Sequence, residues 1–264
     1  MQNLTISIVQ SDLFWENTQQ NLDNFSEKIS RIKVPTDLIV LPEMFSTGFT
    51  IEPENVAETM DGTAMQWLKN TALEKNCVTT GSLIIRENGN FYNRLVWMRP
   101  DGSYETYDKR HLFRMGNEHL RFSNGNKRLV TEINGWKIRP LICYDLRFPV
   151  WAKNSYSEGQ YEYDLIIYVA NWPGRRNFAW KHLLMARAIE NQCYVAGINR
   201  IGTDVKGVAY QGNSIVLNFK GKPVIKLPPA VESIETVTLN YSKMQEFRNE
   251  FTVGLDWDGF EFKK

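Results

Sequence analysis

Two hydrophobic periods run along the chain. "LTISIVQ" alternates with the two-residue period of a strand, and "NTQQNLDNFSEKISRI" then switches to helical spacing behind a capping asparagine. "TDLIVLPE" is a short apolar strand that ends in an acid. The same grammar continues: "TAMQWLKNTALEKN" predicts a helix, "CVTTGSLIIR" a strand, "ENGN" a turn, and "FYNRLVWMR" and "SYETYDK" strands separated by "PDG". After a polar loop, "RLVTEI" and "WKIRPLIC" read as a hairpin through "NG". "YDLIIYVA" is a buried strand, "FAWKHLLMARAIENQ" an amphipathic helix and "CYVAGINR" a strand. "GNSIVLNFKGKPVIKL" predicts a hairpin through "KG", and "SKMQEFRNEF" a late helix. Helices interleaved with buried and half-buried strands imply sheets covered by helices in layers.

Composition narrows this picture. The 264 residues fit one large domain, since single cores grow to about 250–300 residues, and no repeat or long linker divides them. Residues 1–264 are therefore expected to form a single domain. Hydrophobic residues are 42% of the chain, enough to build a substantial core. A formal net charge of +1 recommends neither nucleic acid nor an anionic membrane as partner and favours a small molecule. No apolar run approaches the length of a membrane span, and "MQNLTISIVQ" lacks a signal peptide's basic flank, so the expected location is the cytoplasm. Cys77, Cys143 and Cys193 are widely spaced and odd in number, which suggests free thiols rather than a disulfide framework or a zinc ribbon.

One thiol is placed oddly. In "RPLICYDLRFPVW", Cys143 closes an apolar run just where polar residues begin, and Pro149 suits the first turn of a following helix. A strand-to-helix elbow there would aim helix amides at the sulfur, lower the thiol pKa and offer a backbone N–H to an oxyanion. A small buried hydrophobe is the plain alternative, and Cys77 and Cys193, each opening an apolar strand, keep it. A nucleophile needs a base. His182 lies in a helical stripe and reads as packing; His111 and His119 flank "LFRMGNE", but nothing local pairs His111 with the cysteine. His111, Glu118 and His119 lack the spacing that sets two imidazoles on one helical face, so no metal is expected. Glu43 at the end of a buried strand and Lys109 at the end of another are costly placements unless the charges pair or do acid–base work. A structural ion pair is the alternative for both.

Taken in order, "LPEMF", "YDKRHLF" and "LICYDLRFP" resemble the Glu-Lys-Cys motifs of the carbon-nitrogen hydrolase, or nitrilase, superfamily, and "DLIIYVANWP" and "ARAIENQCYVAGINR" extend the likeness over nearly the whole chain. The resemblance implies an α+β fold, a four-layer αββα sandwich paired into a homodimer, with no cofactor. It implies Cys143 as nucleophile, Glu43 as general base, Lys109 as oxyanion stabiliser with the Tyr144 amide, and Glu118 as a second glutamate near the lysine. A solvated loop charge competes for Glu118. Cys-Tyr-Asp departs from the Cys-Trp-Glu of true nitrilases and looks like the ω-amidase branch, which cleaves α-ketoglutaramate and α-ketosuccinamate to oxo-dicarboxylates and ammonia. "MFSTGFT" after Glu43 differs from that branch's animal enzymes. Arg147 would grip the substrate's far carboxylate, or else pin Asp145 or a helix end. Trp172 would wall the pocket, or else simply pack. Arg187 and Glu190, three apart on a helix, read as a structural pair. The alternatives are an N-carbamoyl amino acid or aliphatic amide hydrolase and, in another class, a catalytically silent binding subunit.

Overall fold

The computed structural model describes residues 2–262. The strands run β1 (Leu4–Gln10), β2 (Leu38–Val40), β3 (Val78–Glu87), β4 (Asn90–Met98), β5 (Tyr104–Asp108), β6 (Thr131–Ile133) and β7 (Trp136–Ile142). They continue as β8 (Tyr156–Ser157), β9 (Gln160–Tyr161), β10 (Leu165–Ala170), β11 (Tyr194–Asn199), β12 (Ile201–Thr203), β13 (Ala209–Gln211), β14 (Ile215–Leu217), β15 (Pro223–Lys226) and β16 (Ser233–Leu239). The helices are α1 (Thr18–Ser30), α2 (Thr63–Lys75), α3 (Pro149–Ala152), α4 (Asn177–Asn191) and α5 (Tyr241–Glu250).

Two six-stranded sheets form the body, ordered β16-β1-β2-β3-β4-β5 and β15-β14-β11-β10-β7-β6. Each has three adjacent parallel strands, β1-β2-β3 in one and β7-β10-β11 in the other, flanked by antiparallel neighbours. Strand alternation decides which face meets which layer. In the first sheet Leu4, Ile6, Ile8, Leu38, Val40, Leu95 and Trp97 face the second sheet and join its Ile138 and Ile142. The intervening Val9, Ile39, Val96 and Met98 pack under α1 and α2 through Leu22, Phe25, Met65 and Leu68. On the far side α4 lays Trp180, Leu184 and Ala188 on the second sheet. The order is therefore helices, sheet, sheet, helices: the four-layer αββα sandwich. Gly197 of β11 is needed for that last contact, because a Cβ there would sit 2.5 Å from Leu184 Cδ1 and 2.9 Å from Trp180 Cζ2.

The structure departs from the sequence expectations at a few places. "SIETVTL" carries no strand expectation, yet it forms β16, held by antiparallel pairing to β1 rather than by apolar content, since only Leu239 in it is buried. The elbow after β7 is not the start of an α-helix: Cys143–Arg147 is a 3₁₀ turn, and the α-helix that opens at Pro149 has only four residues. β2 stops at Val40, so Glu43 stands beyond the strand, past Pro42, which cannot donate to a ladder.

Candidate active site

The central strands deliver their polar residues to one end of the sandwich. Glu43 follows β2, Lys109 follows β5, Cys143 follows β7, and Asn171 and Trp172 follow β10. The first two come from one sheet and the others from its partner, so the site straddles the interface between sheets.

Lys109 Nζ donates to Glu43 Oε1 at 2.8 Å and to Glu118 Oε1 and Oε2 at 3.0 and 2.9 Å. Glu43 and Glu118 are 0% exposed and Lys109 1%. Burial by itself lowers the lysine pKa, but Glu118 and Glu43 outweigh it and hold the ammonium far above the ordinary lysine range. Glu118 is pushed up from the carboxylate range by burial and by the like charge of Glu43, against the pull of Lys109. Its place is thus in the buried cluster, with Phe113 N donating to Oε2 at 2.6 Å, and the solvated-loop reading is overturned. Glu43 is further fixed by Asn93 Nδ2 at 2.8 Å and by the backbone N–H of Asn171 at 2.7 Å, while Asn171 Nδ2 donates to the Glu43 carbonyl at 2.6 Å.

Cys143 adopts φ +42°, a left-handed conformation unusual for a residue with a side chain. Its thiol is driven well above the normal range, chiefly by burial and then by the negative charge of Glu43, with Lys109 opposing. This corrects the expectation that elbow amides lower it: a single 3₁₀ turn supplies little dipole, and desolvation beside a carboxylate dominates. The resting group is a neutral thiol facing a carboxylate. Tyr144 is the second residue of the turn, where backbone amides have no intrahelical acceptor, and it lines the cavity with Cys143 and Lys109.

That cavity holds about 290 Å³. Phe49, Phe113, Tyr144, Trp172 and Tyr210 supply aromatic wall, and Arg147, Arg175, Arg176 and Lys206 supply cations. Arg147 lies with its guanidinium 4.8 Å from the Trp172 ring. It does not pin Asp145, whose partners are elsewhere. Trp172 lines the cavity and packs on Trp180 at 5.5 Å.

Asp145, 0% exposed, ties the segment that carries Lys109 to the turn that carries Cys143. Tyr107 OH donates to its Oδ2 at 2.8 Å and Ile142 N at 3.1 Å, while His111 N and Nδ1 lie 3.0 and 2.8 Å from Oδ1. His111 is therefore spent on Asp145 and stacks on Phe148, so a Cys-His dyad is not formed. With Glu118 bound by Lys109, the His111, Glu118 and His119 set does not converge. Arg187 pairs with Glu190 at 2.7 Å and also holds the Leu146 carbonyl at 2.7 Å, bracing the elbow from behind. Cys77 and Cys193 are core residues. Asn93, Asn171 and Arg176 escaped the sequence reading, and Asp145 entered it only as an alternative partner of Arg147; the one signal was a polar side chain inside or just after an apolar strand, as in "FYNRLVW" and "YVANWP".

Two stacked sheets covered by helices, with strand ends that bring a buried amine and a thiol to one cavity and a buried acid behind them, define a protein of the αββα sandwich class. The carbon-nitrogen hydrolase family model matches residues 5–249, and the chain belongs to that family. Among its relatives, the omega-amidase YafV of Escherichia coli is 40% identical over 260 residues, covering 98% of this chain and 99% of that protein. The 2-oxoglutaramate amidase of Bacillus subtilis is 32% identical over 252 residues, 94% of this chain and 95% of that one. A solved superfamily member from Xanthomonas campestris, carrying an arsenic adduct in its active site, is 42% identical, superposes with a TM-score of 0.97 and covers 100% of both chains. A Saccharomyces cerevisiae member of branch 10 of the nitrilase superfamily, 23% identical, shares the fold at a TM-score of 0.81 over 95% of this chain and 94% of that one.

Proposed function

We propose that this enzyme hydrolyses the ω-amide of small oxo-acid monoamides, α-ketoglutaramate and α-ketosuccinamate, to the dicarboxylate and ammonia. The carrying observation is the buried Glu43–Lys109–Glu118 cluster beside Cys143, at a cavity that also presents cations. Near-full-length identity to an omega-amidase and a 2-oxoglutaramate amidase supports the substrate class.

The mechanism follows from the charges. Glu43 takes the Cys143 proton as sulfur attacks the amide carbon, so the thiolate forms only as it is consumed. An ammonium has three donors. Glu43 occupies one and Glu118 another, and the third, with the Tyr144 N–H, meets the carbonyl oxygen as it becomes an oxyanion. Glu43 returns the proton to nitrogen, the C–N bond breaks and ammonia leaves a thioester. Glu43 then deprotonates a water that attacks the thioester; the C–S bond breaks and the thiol recovers its proton. Glu118 orients Lys109 throughout. Arg147 receives the substrate's far carboxylate and Trp172 walls its path. Neither metal nor organic cofactor enters these steps.

Residues 1–264 act as one hydrolase domain, working in the cytoplasm as a homodimer; the exposed stripe Phe178, Met185 and Ile189 along α4 supports the pairing. Ammonia release from α-ketoglutaramate, an N-carbamoyl amino acid, butyramide and butyronitrile tests the assignment. The expected result is preference for α-ketoglutaramate, lost in Cys143→Ala. Preference for the carbamoyl compound or butyramide, or turnover surviving in Cys143→Ala, overturns it.

A further inference from the structure

Arg176 is an unmet cation inside the cavity. It sits in the 3₁₀ turn between β10 and α4, half-buried, where Arg147 and Arg175 are exposed. Among the described residues no carboxylate pairs with it. The acid that shares the lining, Asp204, is turned to its own hairpin: Lys206 N and Val208 N donate to Oδ1 at 2.9 Å each, and Tyr210 OH to Oδ2 at 3.0 Å. Arg176 is held at its backbone and at its guanidinium. Trp172 Nε1 donates to its carbonyl at 3.0 Å, and the guanidinium lies 4.9 Å from the Phe113 ring. Burial, then Arg175 and Arg147, push its pKa below the usual arginine range, while the charge that Cys143 carries as thiolate pulls the other way. The guanidinium is thus desolvated, repelled by its like-charged neighbours and within electrostatic reach of the nucleophile.

A half-buried guanidinium without a partner is costly in the empty site and favourable once an anion arrives. We propose that Arg176 is the specificity-determining residue of the cavity, receiving the substrate's far carboxylate together with Arg147 and thereby selecting ω-amides that end in a carboxylate over neutral amides. This deepens the ω-amide reading given above and rests on it. Two guanidiniums reach the anion from separate turns, one lying over Trp172 and the other over Phe113, which favours their placement before substrate binds. Discrimination has a repulsive side as well. A neutral amide of the same length displaces water from Arg176 without replacing its hydrogen bonds, and a site built to bond a polar group rejects the analogue that lacks it.

The test compares kcat/KM for α-ketoglutaramate and butyramide in wild type, Arg176→Gln and Arg176→Met, the last keeping an apolar stem against Phe113. Loss of a charged hydrogen bond predicts that the α-ketoglutaramate to butyramide ratio falls about 10- to 100-fold in both variants. An unchanged ratio, or equal loss on both substrates, overturns the assignment. A second readout needs no turnover: glutarate, a dicarboxylate without an amide, is titrated as a protectant of Cys143 against iodoacetamide at pH 9. Protection of wild type that requires about 10- to 100-fold more glutarate in Arg176→Gln supports the anion site even if α-ketoglutaramate proves a poor substrate, which would count against the ω-amide reading alone. Equal protection in wild type and variant counts against Arg176.

Discussion

Replacing Glu43 by Gln should slow the enzyme and quicken its cysteine. The change is isosteric and removes one negative charge. Three donors now converge on Glu43: Lys109 Nζ and Asn93 Nδ2 on Oε1, and Asn171 N on Oε2. Glutamine can keep the first two on its oxygen and turn its amide toward Asn171, leaving one buried donor unsatisfied, about 1–3 kcal/mol, so the fold survives. Catalysis loses its base, which costs about 10²–10⁴ in kcat. The thiol responds in the opposite direction. Glu43 raises its pKa and Lys109 lowers it, so removing the carboxylate leaves the ammonium opposed only by the smaller effect of Glu118 and the thiolate more favoured. Two charges near contact interact by about 4 kcal/mol in protein surroundings, and about a third of that is tenfold in an equilibrium. Iodoacetamide labelling of Cys143, followed by mass spectrometry across pH 6–10, should therefore be at least about tenfold faster near pH 7 in the variant, with its inflection moved to lower pH. Labelling that slows in step with turnover would refute the reasoning, because Glu43 would then be activating the resting thiol rather than suppressing it.

Lys109→Met strands two buried carboxylates, and breaking such a cluster costs about 3–5 kcal/mol, with kcat falling about 10²–10³. Because the folded lysine is held above its unfolded range, its stabilisation is complete below about pH 10 and is lost only as pH climbs through the folded value. Urea unfolding should find the deficit steady from pH 7 to 9 and smaller at pH 5, where the stranded carboxylates take up protons. Asp145→Asn places an amide N–H₂ against donors on one side or the other, at about 1–3 kcal/mol for each buried donor left unpaired. Thermal unfolding should drop, and kcat should fall while KM for α-ketoglutaramate stays within about threefold, since Asp145 places Lys109 and Cys143 and does not line the cavity. Gly197→Ala drives a methyl into Leu184 and Trp180, an overpacking cost of about 1–3 kcal/mol visible in urea midpoints with the site chemistry unaltered.

The residues legible in the sequence are those that interrupt an apolar run. Glu43 ends "LIVLPE", Cys143 ends "RPLIC", and Lys109 closes "YETYD", each a polar group where burial is expected, and the structure assembles all three. What stayed illegible depends on distance in sequence. The thiol's environment is decided by Glu43, one hundred residues upstream and in the other sheet, which no local reading of an elbow reveals. Asn93 is an unremarkable strand residue until β4 carries its amide between Glu43 and Glu118. Arg176 looks like surface charge in "PGRRNF" until Trp172 and Phe113 fix it over the cavity. β16 lacks a hydrophobic signal because an edge strand needs only a partner's ladder.

The position of the site at the seam between sheets also governs when it forms. Glu43, Asn93 and Lys109 belong to the first sheet and its loops; Cys143 and Asn171 belong to the second. Neither sheet alone can satisfy these groups: Glu43 would lack the Asn171 amide, and Asp145 would lack Tyr107 and His111. Exposed in a half-assembled chain, those carboxylates are hydrated; buried together, they are satisfied only when both sheets are in register. The two sheets close mainly through side chains such as Ile6, Val40 and Trp97 against Ile138 and Ile142, and such apolar packing tolerates small slips in alignment. The cross-sheet hydrogen bonds of Glu43 and Asp145 do not, because a shift of one residue exchanges a bonded carboxylate for an unpaired one. The cluster to which we assign amide hydrolysis is therefore also what selects a single alignment of the two sheets.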